Sequence, residues 1–347
     1  MQYQLLPEWA AQDAVMLTWP HKDTDWAPIL TSVEPVYLNI AKHILEHENL
    51  VIVAHSEKEK ERISALLNPS LSSEQLDKVY WVITNTNDTW ARDHGPITVS
   101  DGSKIKVLNF TFNGWGEKYE HQLDNEINNH LFASHFFNDT NIEHIPMVLE
   151  GGGIEINEHG VLLTTSECLL NNNRNPDLSK ENIEDTLREK LGVKHFLWLD
   201  NGYLAGDDTD SHIDTLARFA PNNTIVYIAC PDKDDEHYAA LKKMETQLAS
   251  FRTEAGSAYR LFPLPWPSKK INNDGERLPA TYANYLIINN CVLVPTYQDD
   301  NDQIALDVIA KAYPNHNVIG IDCLPLVHQF GSLHCITMQL PKGTLSL

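Results

Sequence analysis

The fold of this chain is decided by the segment HCITMQL at residues 334–340, the last run in the sequence with the character of a β-strand. No second strand follows it to complete a hairpin. The segment AVMLTW at residues 14–19 is likewise incomplete, because no strand precedes it. Pairing the two segments would close a repeat of sheets on itself and cover both exposed strand edges. We therefore predict that these two segments share one sheet.

Four hairpin patterns lie between the two segments, each made of two short apolar runs around a polar turn. Their starts are roughly 50 to 70 residues apart, a period typical of a repeated supersecondary unit. The paired runs are 97–99 with 105–108, 154–156 with 161–163, 215–219 with 224–229, and 285–288 with 292–294. Helical patterns follow at 124–136, 179–191, 234–253 and 302–312. The sequence predicts one α/β domain, residues 1–347, with four internal units and a fifth shared by the two ends.

The charge balance limits the partners. The chain has 26 basic and 48 acidic side chains, a formal charge of −22, which disfavours nucleic acid and anionic membranes and favours cationic ligands. The N-terminal segment lacks the basic region and apolar core of a signal peptide. The sequence also contains no stretch of about eighteen consecutive apolar residues, the length needed to span a membrane. We therefore predict a cytoplasmic protein. Five cysteines without a C-x-x-C pair indicate neither a disulfide framework nor a thiolate zinc site.

Chemically reactive residues lie beside several of the hairpins. Asp93 precedes the first hairpin, Glu150 the second, and His212 and Asp214 the third, while Cys335 lies in the terminal segment. Equivalent positions of a closed repeat face its axis, so the predicted repeat would bring these residues into one pocket. A thiol, an imidazole and several carboxylates in one pocket indicate covalent hydrolysis of a cationic group.

Five motifs, spread in order over nearly the whole chain, carry a resemblance to a known family. They are WARDHGP at 90–96, FNGWGEKY at 112–119, LEGGGIE at 149–155, DTDSHID at 208–214 and HCIT at 334–337. In these motifs the chain resembles the agmatine deiminases and Porphyromonas-type peptidylarginine deiminases, which are guanidino-group-modifying enzymes. The resemblance implies a five-bladed α/β propeller of pseudo-fivefold symmetry, the pentein fold, with the N- and C-terminal segments closing the ring. It also implies a homodimer or larger assembly, and no cofactor is expected.

The resemblance further implies a reaction. The expected substrate is agmatine, a small guanidino cation, which is hydrolysed to N-carbamoylputrescine and ammonia in putrescine biosynthesis. Peptidyl-arginine or free arginine, giving citrulline, is the alternative. One departure bears on this choice, because residues 329–333 (QFGSL) keep one glycine where agmatine-specific members have a glycine-rich stretch.

Four residues are the candidates for catalysis. Cys335 would attack the guanidinium carbon to form a covalent amidino-thioether. His212 would give a proton to departing ammonia and later take one from the hydrolytic water. Asp93 and Asp214 could each accept paired N–H bonds, which fix the orientation of a guanidinium as well as its charge.

Strand alternation decides which neighbours are expected to act together. If residues 211–214 form a strand, His212 and Asp214 point to the same face and can reach one substrate. In a terminal strand His334 and Cys335 point to opposite faces, so His334 is expected to be structural.

Four further residues are candidate substrate contacts. Trp90 and Trp115 could pack on a cation or an alkyl chain. Glu150 enters a run of three glycines that would let the backbone approach a ligand closely, and it could also orient His212. Asp210 is a candidate substrate contact that could instead support the same loop or lie at the surface.

Two other classes of function stay open at this point. Asp208, Asp210, His212 and Asp214 could bind a divalent metal that activates water, although their spacing is not that of an EF-hand. Alternatively, the chain could be a non-catalytic propeller that binds a basic partner through its acidic surface. Turnover that resists chelators but not iodoacetamide would favour the thiol hydrolase over both.

Overall fold

The strands of this chain form five sheets in the computed structural model, which describes residues 3–138 and 142–346. The strands of these residues are β1 (Gln4–Leu5), β2 (Gln12–Thr18), β3 (Asn49–Ala54), β4 (Val79–Ile83), β5 (Ile97–Ser100), β6 (Ile105–Thr111), β7 (Ile142–Val148), β8 (Ile154–Ile156), β9 (Val161–Thr165), β10 (His195–Leu199), β11 (Ala217–Ala220), β12 (Thr224–Ile228), β13 (Arg260–Leu264), β14 (Leu286–Ile288), β15 (Cys291–Thr296), β16 (Asn317–Asp322) and β17 (Thr337–Pro341). The α-helices are α1 (Leu30–His47), α2 (Glu57–Leu67), α3 (Ser73–Leu76), α4 (Ala91–His94), α5 (Gly114–Glu117), α6 (Gln122–Asn125), α7 (Ile127–Phe132), α8 (Ser166–Leu169), α9 (Lys180–Leu191), α10 (Tyr238–Ser250), α11 (Asp302–Ala312) and α12 (Leu324–Val327). Short 3-10 helices occur at Ala27–Ile29, Gly151–Gly153 and Ile213–Thr215. No helix of the described residues has both the length and the apolar character needed to cross a bilayer.

Every sheet contains the same unit of an antiparallel strand pair, a helical crossover and a third strand parallel to the second. In one example β11 pairs antiparallel with β12, α10 follows, and β13 then pairs parallel with β12. The strand orders are β1-β5-β6-β7, β10-β9-β8, β11-β12-β13, β14-β15-β16 and β17-β2-β3-β4. A parallel third strand needs a crossover connection, which explains the helical segment that precedes it in each unit. The fold is therefore a repeated α/β arrangement.

The two ends of the described chain share a sheet, as the sequence predicts. β17 pairs antiparallel with β2, with Thr337 opposite Leu17 and Gln339 opposite Val15. On its other edge β2 pairs in parallel with β3. Alternate residues of β2 then enter two different apolar clusters, one containing Val15 and Leu17 and the other containing Ala14 and Met16. This strand is consequently buried on both faces and at both edges.

The four internal hairpins also form as predicted, but one helix does not. The helical pattern at 179–191 becomes α9, which begins after a Ser179 cap that accepts the Asn182 N–H. The single helix predicted at 124–136 is wrong, since the chain there forms the two short helices α6 and α7. Asp124 turns inward and accepts the backbone N–H groups of Asn87 and Asp88 at 2.7 and 3.0 Å. Its side chain thereby fixes the loop before α4.

Candidate active site

Polar side chains occupy the same position in all five units, directly before the first strand of the antiparallel pair. The residues at these positions are Asp93 before β5, Glu150 before β8, His212 and Asp214 before β11, Asn284 before β14, and Cys335 before β17. All six side chains are at least nine-tenths buried. The repeat thus converts residues far apart in sequence into one cluster.

A cavity of about 160 Å³ opens onto this cluster. Its wall includes Asp93, His212, Asn284 and Cys335. Three of the predicted site residues are not part of this wall, namely Glu150, Asp210 and Asp214. Asp214 is fully buried at the inner end, where its charge acts on both Asp93 and Cys335. The cavity therefore has a thiol, an imidazole and a carboxylate at its surface and further carboxylates directly behind it.

Cys335 lies in a turn directly before β17, and not within the strand as the sequence suggested. The Asn284 side chain fixes this turn, since its Oδ1 accepts the backbone N–H of His334 at 2.9 Å and that of Cys335 at 3.3 Å. The Cys335 thiol also donates to the same oxygen at 3.4 Å. Burial, together with the charges of Asp214 and Asp93, raises the pKa of the Cys335 thiol. Without a bound cation the sulfur therefore carries its proton at neutral pH.

His212 lies between two carboxylates. Its Nδ1 is 3.6 Å from Asp93 Oδ1, and its Nε2 is 3.6 Å from Glu150 Oε2. Burial alone would lower the pKa of His212, but the charge of Asp93, with contributions from Cys168 and Glu150, raises it well above its usual value. The residue caps the 3-10 helix Ile213–Thr215, so the strand expected at 211–214 does not form. In the absence of substrate this imidazole is positively charged and able to donate a proton.

Asp93 is held by two hydrogen bonds. Trp115 Nε1 donates to its Oδ2 at 3.0 Å, and the Gly152 N–H donates to its Oδ1 at 3.1 Å. Burial and the nearby charges of Asp214 and Glu150 raise the pKa of Asp93 to about 6, although His212 acts in the opposite direction. Gly152 cannot be replaced easily, because a Cβ there would lie 2.5 Å from His212 Nδ1 and 2.8 Å from Asp93 Oδ1. The glycine lets the backbone donate directly to the carboxylate.

Aromatic side chains form one wall of the cavity. Trp115 lies edge-on to Trp90, with ring centroids 6.4 Å apart, and edge-on to Tyr119 at 5.6 Å. The backbone at Trp115 is left-handed, with φ of 56°, and its neighbours Gly114 and Gly116 also have positive φ. In this position the indole nitrogen donates to Asp93 while the ring packs in the apolar core with Trp90 and Phe112. Both tryptophans predicted as substrate contacts therefore lie on the cavity wall.

Glu150 and Asp210 lie behind the cavity, around a buried arginine. Arg174 Nε donates to Glu150 Oε1 at 2.8 Å, and its Nη1 donates to Asp210 Oδ2. Lys118 Nζ also bonds Asp210, at 2.9 Å. Burial opposes ionisation of Glu150, but the contacts with His212 and Arg174 prevail and lower its pKa. The geometry thus favours orientation of His212 by Glu150 and loop support by Asp210, and it does not favour direct contact of either with a ligand.

The metal alternative finds little support in this geometry. Asp208 accepts a hydrogen bond from Tyr119, and Asp210 is paired with cations, so the two do not converge on His212. Among the described residues, two other groups could offer metal ligands within 4.8 Å of one another, namely Glu150 with Cys168 and His212, and His21 with Asp23 and His55. The first belongs to the cluster behind the cavity.

Sequence reasoning missed Asn284, Cys168 and Arg174. Asn284 could have been found, because it stands directly before the fourth hairpin at the position that carries the other site residues. Cys168 Sγ lies 3.8 Å from Glu150 Oε2 and contacts His212, yet in sequence it has the setting of a packing residue. The partners of Arg174 come from three segments distant in sequence, at Trp115, Glu150 and Thr209–Asp210, and no local pattern indicates them.

Comparison with known proteins agrees with this geometry. The model of the Porphyromonas-type peptidyl-arginine deiminase family matches residues 4–341. The chain belongs to this family. A provisionally named agmatine deiminase from a Shewanella species is 30% identical to this chain over an alignment of 372 positions. The alignment covers 97% of this chain and 93% of that protein.

Two solved structures match this chain over nearly its whole length. A provisionally named arginine deiminase from Porphyromonas gingivalis shares 47% identity at a TM-score of 0.93, covering 99% of this chain and 100% of that one. An agmatine deiminase from C. jejuni, with a cysteine-to-serine substitution and bound substrate, shares 39% identity at a TM-score of 0.90. That comparison covers 99% of this chain and 97% of the C. jejuni chain.

Proposed function

We propose that this protein is an agmatine deiminase that hydrolyses agmatine to N-carbamoylputrescine and ammonia through a covalent Cys335 intermediate. One observation carries the proposal: Cys335, His212 and Asp93 meet at the inner end of a single acidic cavity, with Asp214 directly behind them. A guanidinium is a planar cation that paired carboxylates can hold and one nucleophile can attack from its face.

The outer part of the cavity favours a second positive charge on the substrate. Its wall includes Asp25, Asp88, Asp207 and Asp208, and no lysine or arginine of the described chain lines it. Three buried arginines pair with carboxylates outside this wall, Arg92 and Arg218 with Glu8 and Arg174 with Glu150, so none of them is placed to bind a substrate carboxylate. Agmatine carries a guanidinium and an amine, whereas free arginine carries both of these and a negatively charged carboxylate. The acidic wall therefore favours agmatine.

The mechanism follows from the charges of the site. In the empty site, burial and the charges of Asp214 and Asp93 keep the Cys335 thiol protonated. A guanidinium bound beside these carboxylates offsets their charges, so the thiol releases its proton to solvent and becomes a thiolate. The thiolate attacks the guanidinium carbon, and ammonia leaves with a proton from His212. Water then adds to the amidino carbon while His212 takes its proton, and cleavage of the C–S bond releases the ureido product.

We also propose that the five sheets are the blades of a five-bladed propeller formed by one domain, residues 1–347. The identical topology of the five units and the equivalent positions of their site residues support this arrangement. The net charge of −22 supports a protein that does not bind nucleic acid or anionic membranes. A cytoplasmic location and a homodimer or larger assembly stay predictions.

A side-by-side assay of ammonia and ureido product on agmatine, free arginine and an arginyl peptide tests the function. We expect turnover of agmatine, unaffected by EDTA and abolished by iodoacetamide. Cys335→Ser should remove turnover while calorimetry still detects agmatine binding. Preferred turnover of arginine or the peptide would replace the substrate assignment, and full activity of Cys335→Ser would overturn the mechanism.

A further inference from the structure

A buried polar network lies behind Asp214, on the side away from the cavity. His334 Nδ1 is 2.7 Å from Asp214 Oδ2, and His334 Nε2 is 2.9 Å from Glu8 Oε1 and 3.0 Å from Arg218 Nη2. His334, Asp214 and Arg218 are each at most 1% exposed. The mechanism described above uses only Asp214 of this group.

The tautomer of His334 follows from its partners. Burial, with the charges of Arg218 and Arg92, lowers the pKa of His334 although Glu8 and Asp214 oppose the shift. A neutral imidazole donates from one nitrogen and accepts at the other. His334 Nδ1 meets Asp214 Oδ2, a carboxylate oxygen that can only accept, so Nδ1 carries the ring proton. Nε2 is then left to accept from Arg218 Nη2, beside the carboxylate of Glu8. His334 therefore donates a hydrogen bond to Asp214 Oδ2.

That hydrogen bond leaves the other oxygen of Asp214 without a protein partner. Asp214 Oδ1 is buried and accepts no hydrogen bond in the described structure. An unsatisfied buried carboxylate oxygen is costly unless a ligand supplies the donor. The imidazole thus fixes the carboxylate by one oxygen and keeps the second available for an N–H group of a bound cation.

Glu8, in the loop between β1 and β2, holds the far side of the network. It accepts from Arg92 Nη1 at 3.1 Å, from Arg218 Nη2 at 2.6 Å and from Gln339 Nε2 at 2.9 Å. Burial opposes its ionisation, but Arg218, His334 and Arg92 lower the pKa of Glu8 well below its usual value. Arg218 Nε also donates to Glu155. Two arginines therefore face Glu8 and Glu155, and neither of them donates a hydrogen bond to Asp214.

We propose that His334 is a positioning residue that holds Asp214 by one carboxylate oxygen for the substrate guanidinium, and that Glu8 fixes His334 both directly and through Arg218. This rests on the proposed function of the site. It differs from the expected role of His334, which was structural support of the terminal strand.

Two substitutions of His334 separate positioning from packing. The side-chain amide of asparagine can place its N–H near the position of Nδ1, whereas the longer glutamine places it near Nε2. We expect His334→Asn to stay within about threefold of wild type in kcat/KM, because the bond to Asp214 is kept. His334→Gln should weaken agmatine binding roughly 10- to 100-fold, as for loss of a hydrogen bond to a charged group, measured as Kd in a Cys335→Ser background.

The outcomes divide cleanly. Equal values of Kd and kcat/KM for the two folded variants, at matched Tm, would overturn the proposal. If neither variant folds, Glu8→Gln tests the same network, because it keeps an acceptor but removes the negative charge that faces Arg92, Arg218 and His334. It should raise the KM for agmatine several-fold, and an unchanged KM would contradict the proposal.

A measurement without substrate distinguishes this proposal from the proposed function. In protein labelled with ¹⁵N-histidine, side-chain NMR reports the tautomer of each ring. The signal that Glu8→Gln perturbs most should show a neutral ring protonated on Nδ1. A ring without a proton on Nδ1 would refute the positioning role even if agmatine is turned over, whereas a ring protonated on both nitrogens would keep that role, with Glu8 as the acceptor for Nε2. Conversely, the expected tautomer in a protein that does not turn over agmatine would count against the function alone.

Discussion

Replacing Gly152 by alanine is a sharp test of the site geometry. A Cβ at this position would lie 2.5 Å from His212 Nδ1, about 0.9 Å short of the 3.4 Å at which ordinary contact begins. It would also lie 2.8 Å from Asp93 Oδ1, so neither side of the ion pair can yield freely. The backbone of Gly152 is not left-handed, and steric overlap is therefore the main effect. Overpacking of this kind costs about 1–3 kcal/mol of stability.

The effect on catalysis should exceed the effect on stability. A displacement of about 1 Å of a catalytic group can lower the rate by about 100-fold, so we expect kcat for ammonia release from agmatine to fall by that order in Gly152→Ala. Gly153→Ala is the matched control, since its Cβ would meet Cys168 Sγ at 3.3 Å and His212 Cδ2 only at 3.9 Å. Calorimetric Tm verifies folding of both variants. Near wild-type kcat in folded Gly152→Ala, or equal losses in the two variants, would refute the assigned geometry.

Three further predictions concern pH, selectivity and the aromatic wall. Burial, reinforced by neighbouring carboxylates, raises the pKa of Asp93 to about 6. Protonation of Asp93 below that pH removes its charge, so kcat/KM for agmatine should fall about tenfold per pH unit there. A pH profile of kcat/KM that is flat down to pH 5 would contradict this. Asp208→Asn should raise the KM for agmatine roughly fivefold with little change in kcat, and kinetics showing the reverse would exclude Asp208 from substrate binding. Gly331→Ala would place a Cβ 2.1 Å from Trp90 Cζ3. We expect kcat/KM to fall about tenfold in the ammonia assay and the free energy of unfolding to fall by about 1–3 kcal/mol in a denaturant titration. A variant with neither change would show that Trp90 can move aside without effect on the site.

The sequence predicted the parts of the fold that depend on local patterns. The hairpins at β5–β6 and β8–β9 form because apolar runs flank short polar turns, and both signals lie within a few residues of each other. The third strands, such as β10 and β16, were not predicted. They follow helices and pair in parallel with strands that precede those helices, so no turn marks them in the sequence.

The same distinction applies to the site. The repeat brought Asp93, His212 and Cys335 together in sequence reasoning, and the structure places all three on one cavity wall. Sequence reasoning did name His212 as a residue that Glu150 could orient, and the two side chains lie 3.6 Å apart. The pairing of Glu150 with Arg174 could not be predicted, because a carboxylate in sequence does not show whether a buried arginine will meet it.

Asn284 was missed for a different reason. A neutral amide is not a nucleophile, acid or base, and its role depends on the hydrogen bonds that it accepts from the turn at Cys335, which the sequence does not show.

The pairing of β17 with β2 has a consequence for how activity is acquired. These strands are separated by most of the chain. During synthesis on the ribosome β2 can therefore pair with β17 only after the four intervening units have emerged. Contacts of such long sequence separation are slow to form, and Cys335 and its turn lie directly before β17. The thiol thus reaches its working position late in folding. Recovery of turnover after denaturation should accordingly lag behind recovery of helical circular dichroism.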